Sequence, residues 1–74
     1  MTSEKEMMKI DMVAKLAILL IEDGRAHTMT DALNTVINSE TYQRVINDKT
    51  ALYYQSSRYV YDFLKNELTI GKVL

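Results

Sequence analysis

From Met12 to Ile21 the chain reads Met-Val-Ala-Lys-Leu-Ala-Ile-Leu-Leu-Ile, with Lys15 as the one polar interruption. A chain of 74 residues has little else with which to cover such a run. The run must therefore be the axis around which the remaining segments pack, and it is also a candidate seam to a second chain. On a helix, Ile10, Val13, Ala14, Ala17, Leu20 and Ile21 share one face at i, i+3, i+4 spacing. Met12, Leu16 and Leu19 occupy nearly the opposite face, and Asp11, Lys15 and Glu22 leave a narrow polar stripe. A helix that is apolar almost all round is buried on most sides, so the spacing predicts a long, mostly buried first helix over about residues 3–23. The face of Met12, Leu16 and Leu19 is covered either within the chain or by a neighbour, which makes these three candidate partner-binding residues.

Size sharpens that expectation. A domain this short buries only roughly 60% of its unfolded surface, and a single small core supplies about 3–5 kcal/mol. Cysteine is absent and there is one histidine, which removes disulfides and the common zinc sites as sources of stability. Helix packing and oligomerisation remain, so a protein partner or a second copy is expected. No cofactor is expected.

The rest of the chain punctuates itself with caps instead of prolines. Gly24 and Gly71 follow apolar periodic stretches, where a left-handed helix stop belongs. Thr28 is a candidate N-cap, with Asp31 three residues on, for a second helix over about 29–38 carrying Met29, Ala32, Leu33, Val36 and Ile37 inward. Ser39 caps a short third helix over about 40–47 with Tyr42, Val45 and Ile46 on its apolar face. Asp48-Lys49-Thr50 reads as a turn, and residues 51–55 as a helical turn that carries Leu52 and Tyr53 inward. Ser57 is the expected cap of a last helix over about 58–70, with Val60, Phe63, Leu64 and Leu68 as its buried stripe and Arg58 paired to Asp62 outside. The terminal Lys72-Val73-Leu74 either frays or docks. The expected architecture is all-α: one compact four-helix domain with short connecting turns.

Chemistry is sparse. His27 sits in a loop without a nucleophile or acid constellation around it in the sequence, and a general base needs a positioned partner, so no catalytic residue and no metal ligand set is assigned and the chain reads as a non-enzyme. The acidic pairs read as solvated charge, and Met12 and Met29 as core filler. Nine basic residues balance ten acidic ones, with no basic arm to track a phosphate backbone, so nucleic acid is not the expected partner. The second and third helices invite comparison with a helix-turn-helix, but Asn38-Ser39 is shorter than the usual turn and lacks glycine, and Glu40 would lead the recognition helix. The apolar run is too short to span a bilayer, and the acidic N-terminus lacks the basic character of a secretory signal, which makes the cytoplasm the expected compartment. Five tyrosines fall in the second half. Of these, Tyr54 and Tyr61 are expected to be exposed and, with Arg58, to form a partner surface, since Tyr and Arg are enriched in binding hot spots.

The stretch His27-Thr28-Met29-Thr30 with Ala32-Leu33, then Ser39, Tyr42 and Ile46, then Thr50-Ala51-Leu52-Tyr53, Gln55-Ser56, Tyr59-Val60-Tyr61 and Leu64 resembles a class of small bacterial all-helical domains of unknown function encoded beside toxin-like or ADP-ribosyltransferase-like proteins. Ala51 stands where that class has glycine. The resemblance implies a helical fold and a protein partner, with no catalytic residue. Together these readings make the expected function a non-catalytic protein–protein interaction module, an antitoxin-like or accessory member of an operon pair, with a small dimeric DNA-binding regulator as the alternative.

Overall fold

A computed structural model describes residues 3–71. In chain order the elements are α1 (Glu4–Glu22), α2 (Met29–Ile37), α3 (Glu40–Ile46), a single 3-10 turn (Leu52–Tyr54) and α4 (Ser57–Ile70), with no strand among the described residues. The molecule is all-α, measuring 33 × 26 × 19 Å. At 1.5 Å per residue, the 19 residues of α1 reach about 28 Å, nearly the full length of the domain. α1 packs against every other element, most extensively against α2.

Each α-helix begins with the same device. Ser3, Thr28, Ser39 and Ser56 are extended residues whose hydroxyls accept the backbone N–H three residues on, from Glu6, Asp31, Tyr42 and Tyr59. Each such cap is worth about 1 kcal/mol, which matters in helices as short as α2 and α3. The last helix starts one residue earlier than its spacing predicts, because Ser56 supplies the cap and Ser57 is already helical. Gly24 (φ 74°) and Gly71 (φ 82°) adopt the left-handed conformation expected of helix stops. The turn after Asp48 is present as expected, and Ala51 joins it to the 3-10 turn at φ 53°, ψ 27°. The Thr50 hydroxyl holds this corner by donating to the carbonyl oxygens of Arg44 and Asn47.

The core is built from Leu16, Leu20, Val36, Val45, Val60 and Leu64, all fully buried, with Ala17 and Ala32 where helices approach closely. Burying one such branched side chain contributes about 1.5–3 kcal/mol. The orientation of α1 differs from the expected one. Met12, Leu16 and Leu19 are buried in the core beside Ala17 and Leu20, whereas Ile10 is 60% exposed and Val13 and Ala14 are only half-buried. The helix is thus buried along one side and open along the other. The cause is its set of neighbours: α2 takes the flank of Val13 and Ala17, while α4 and the 3-10 turn draw Met12 and Leu19 inward. Met29, Ile37 and Leu68, also expected inside, are 43%, 47% and 40% exposed. They sit at helix ends, beyond the reach of a domain this small. The behaviour expected of Lys72–Leu74 lies outside the described residues.

Candidate protein-docking face

The side of α1 that the core does not use forms one wall of a groove of about 540 Å³ between α1, α2 and α3. Ile10, Val13 and Ala14 form one wall, Leu33 and Ile37 the facing one, and Tyr42 and Ile46 of α3 close the end. The helical pattern of the sequence explains why these groups converge: Val13, Ala14, Leu33 and Tyr42 each stand three residues before a buried core residue of their own helix, and Ile10, Ile37 and Ile46 stand three or four residues from Val13, Leu33 and Tyr42 in turn, on the shoulder of the buried stripe. The walls are apolar, and among the described residues the charged groups at the edge are Glu6 and Lys9. Pockets of this size and character, open and hydrophobic with few polar groups, suit an apolar side chain or helix face better than a polar metabolite.

Lys9 is not free at that edge. Its ammonium lies 2.8 Å from the Asp48 carboxylate and 5.3 Å above the Tyr53 ring, and the Tyr53 hydroxyl donates to the same carboxylate at 3.4 Å. The hydrogen bond to Asp48 raises the Lys9 pKa above its ordinary value, and the same bond lowers that of Asp48. This three-group contact fastens the turn after α3 to α1.

The residues proposed from the sequence as a partner surface divide between two depressions, Met12 and Tyr54 at one and Leu19, Arg58 and Tyr61 at the other. Tyr54 is 59% exposed, its ring tilted 38° against that of Tyr53 with centroids 4.7 Å apart, and it borders a depression with Met12 and Lys15. Arg58 is exposed but lies at a different, smaller depression of about 130 Å³, beside Leu19, Asp23 and Tyr61. Tyr61 is 4% exposed, against expectation. Its ring fills space between α1 and α4, and its hydroxyl donates to Asp23 at 2.8 Å, while the Arg25 Nε donates to the same oxygen at 3.0 Å. Burial and this bond push the Tyr61 hydroxyl up to about 12. The bond from Tyr61, followed by that from Arg25, holds Asp23 below the usual carboxylate range. Met12, Leu16 and Leu19, expected to face a partner if uncovered, are covered within the chain. The described ion pairs are Lys9–Asp48, Lys15–Asp11 and Arg25–Asp23, and the expected Arg58–Asp62 pair is not among them.

Sequence reasoning missed one polar junction altogether. The Glu67 carboxylate of α4 reaches the amino end of α3, where one oxygen accepts from the Glu40 N–H at 2.8 Å and the other from the Thr41 N–H at 3.0 Å and the Thr41 hydroxyl at 2.8 Å. Thr41 is fully buried. Glu67 therefore supplies from another helix what a capping box supplies from its own.

His27 is exposed in the connection before α2. Among the described residues, no group of three or more His, Cys, Asp or Glu side chains could hold a metal ion, and no helix is long and apolar enough to cross a membrane. Comparison with family models, curated proteins and solved structures finds no match to this chain, so the reading of the groove rests on its geometry and chemistry.

Proposed function

We propose that the protein is a non-catalytic protein–protein interaction module of the cytoplasm, an antitoxin-like or accessory member of an operon pair, and that its working surface is the apolar face shared by α1, α2 and α3. One observation carries this reading. On a domain whose surface totals 4862 Å², five large apolar side chains of α1 and α2 (Met7, Ile10, Ile18, Met29 and Ile37) are each more than 40% exposed, and Ile10 and Ile37 flank the groove. Exposed apolar groups gathered along a groove in this way mark protein interaction sites. The alternative of a dimeric DNA-binding regulator is less well supported. The Glu67 carboxylate and the Glu40 side chain both sit at the amino end of α3, where a recognition helix must present groups to phosphate-rich DNA.

Capture from the native host tests the proposal, with the wild-type chain and an Ile37→Glu chain as baits and a nuclease-treated control. The expected result is a stoichiometric protein, insensitive to nuclease, that the wild type retains and Ile37→Glu loses while keeping its helical circular dichroism. Equal recovery on both baits, or recovery that nuclease abolishes, overturns it.

A further inference from the structure

Five apolar residues of α1, three exposed and two half-buried, are arranged symmetrically about one position. Met7, Ile10, Ala14, Ile18 and Ile21 stand at −7, −4, 0, +4 and +7 relative to Ala14, and at 100° per residue they form one stripe along the helix. Met7, Ile10 and Ile18 are 56%, 60% and 44% exposed, while Ala14 and Ile21 are half-buried at the shoulder facing α2. A two-fold axis through Ala14 maps this stripe onto itself, laying Ile10 on Ile18 and Met7 on Ile21 of an antiparallel copy. Alanine at the crossing point lets two helices approach to the 8–10 Å of close packing.

The polar flank of the stripe obeys the same symmetry. Asp11 and Lys15 lie side by side on it, 2.8 Å apart within the helix and more than half exposed. In the antiparallel copy, Lys15 falls two residues from the level of Asp11, an axial offset of about 3 Å, so each carboxylate faces the partner's ammonium. Glu22 and Glu4 of opposite copies meet at the exposed ends, where salt screens them.

We infer that the occupant of this face is a second copy of this chain, paired through antiparallel α1 helices about Ala14. The inference rests on the reading of the face as a protein-docking surface and names its partner. A stable pair buries about 800 Å² from each protomer, one-sixth of the surface available here. The stripe runs the length of α1 and continues across the groove onto Ile37. An isologous interface of this kind is the usual way a small soluble protein forms a closed assembly.

Sedimentation equilibrium from micromolar to several hundred micromolar protein tests it, with circular dichroism to confirm folding. The wild type is expected to be dimeric, and Ile18→Glu, at an exposed position, monomeric with unchanged helicity. Asp11→Lys and Lys15→Asp chains, each carrying like charges on the flank, are each expected to weaken self-association about tenfold or more. Mixed one to one, the two chains are expected to recover a heterodimer, because every cross-helix pair is then attractive. A wild type that remains monomeric throughout, a dimer indifferent to Ile18→Glu, or a mixture no tighter than its components overturns the inference. A monomer whose partner capture is still abolished by Ile37→Glu overturns self-pairing alone and leaves the docking surface standing.

Discussion

The α1–α2 hairpin and the α3–α4 junction do the same job by different means. In the first, two helices joined by a short connection meet through Val13, Ala17, Ala32 and Val36, and shape and burial hold them. In the second, a seven-residue helix that is too short to be stable alone is held at its amino end by three hydrogen bonds to one carboxylate of α4. Apolar contact tolerates small shifts, whereas a carboxylate that serves two backbone donors and a hydroxyl fixes both position and angle. The hairpin therefore sets the volume of the core, and the junction sets the direction in which α3 leaves it, including the placement of Tyr42 and Ile46 at the end of the groove.

The largest test of this contrast lies within α1. Leu20→Asp places an unpaired charge at a fully buried position, which exceeds the few kcal/mol available to a core of this size. A thermal melt is expected to show no cooperative transition. Ile18→Asp, two residues away on the open side, is expected to change monomer stability by less than about 0.5 kcal/mol. Equal effects would mean that the two sides of α1 are not distinct. Next in size is Glu67→Ala, expected to cost about 1–3 kcal/mol in urea unfolding, since Thr41 is buried and loses a charged acceptor. Glu67→Gln restores part of this, because the amide oxygen still accepts.

Tyr61→Phe is expected to cost about 1 kcal/mol and to carry a pH signature. A hydroxyl whose pKa is about 12 in the folded chain, against an ordinary 10, contributes stability that is complete below pH 10 and lost as pH rises towards 12. At the acid end, the depressed Asp23 carboxylate contributes stability that is present above its ordinary pKa and lost as pH falls through the lower folded value. Melts of Tyr61→Phe are expected to fall less steeply than those of the wild type at both ends. Parallel profiles would mean that the Asp23–Tyr61 bond is immaterial.

Much of the fold was legible because its signals are local. Thr28 and Ser39 cap where a hydroxyl must accept three residues on, Gly24 and Gly71 stop helices where φ turns positive, and Tyr53 turns inward as expected. The face of α1 that points inward was not legible. A helix that is apolar on both sides admits two packings, and only its neighbours choose between them. Ile10 and Ile37 read as core for the same reason, so the groove they flank went unseen. The Tyr61–Asp23 bond spans 38 residues and the Glu67–Glu40 bond spans 27, and no periodicity encodes pairings at that range.

The six residues between α1 and α2 (23–28) also have a consequence in time. Closing a loop of that length takes about 10–100 ns, so the hairpin can form while α4 is still unattached, and the Glu67 bonds, which join residues 26 and 27 apart, are expected afterwards. The junction then acts as a latch on a structure already assembled, and Glu67→Ala is expected to leave the folding rate nearly unchanged in stopped-flow experiments and to speed unfolding. The lifetime of the folded state, and with it the time for which the groove keeps its shape, would be set at the end of the molecule assembled last.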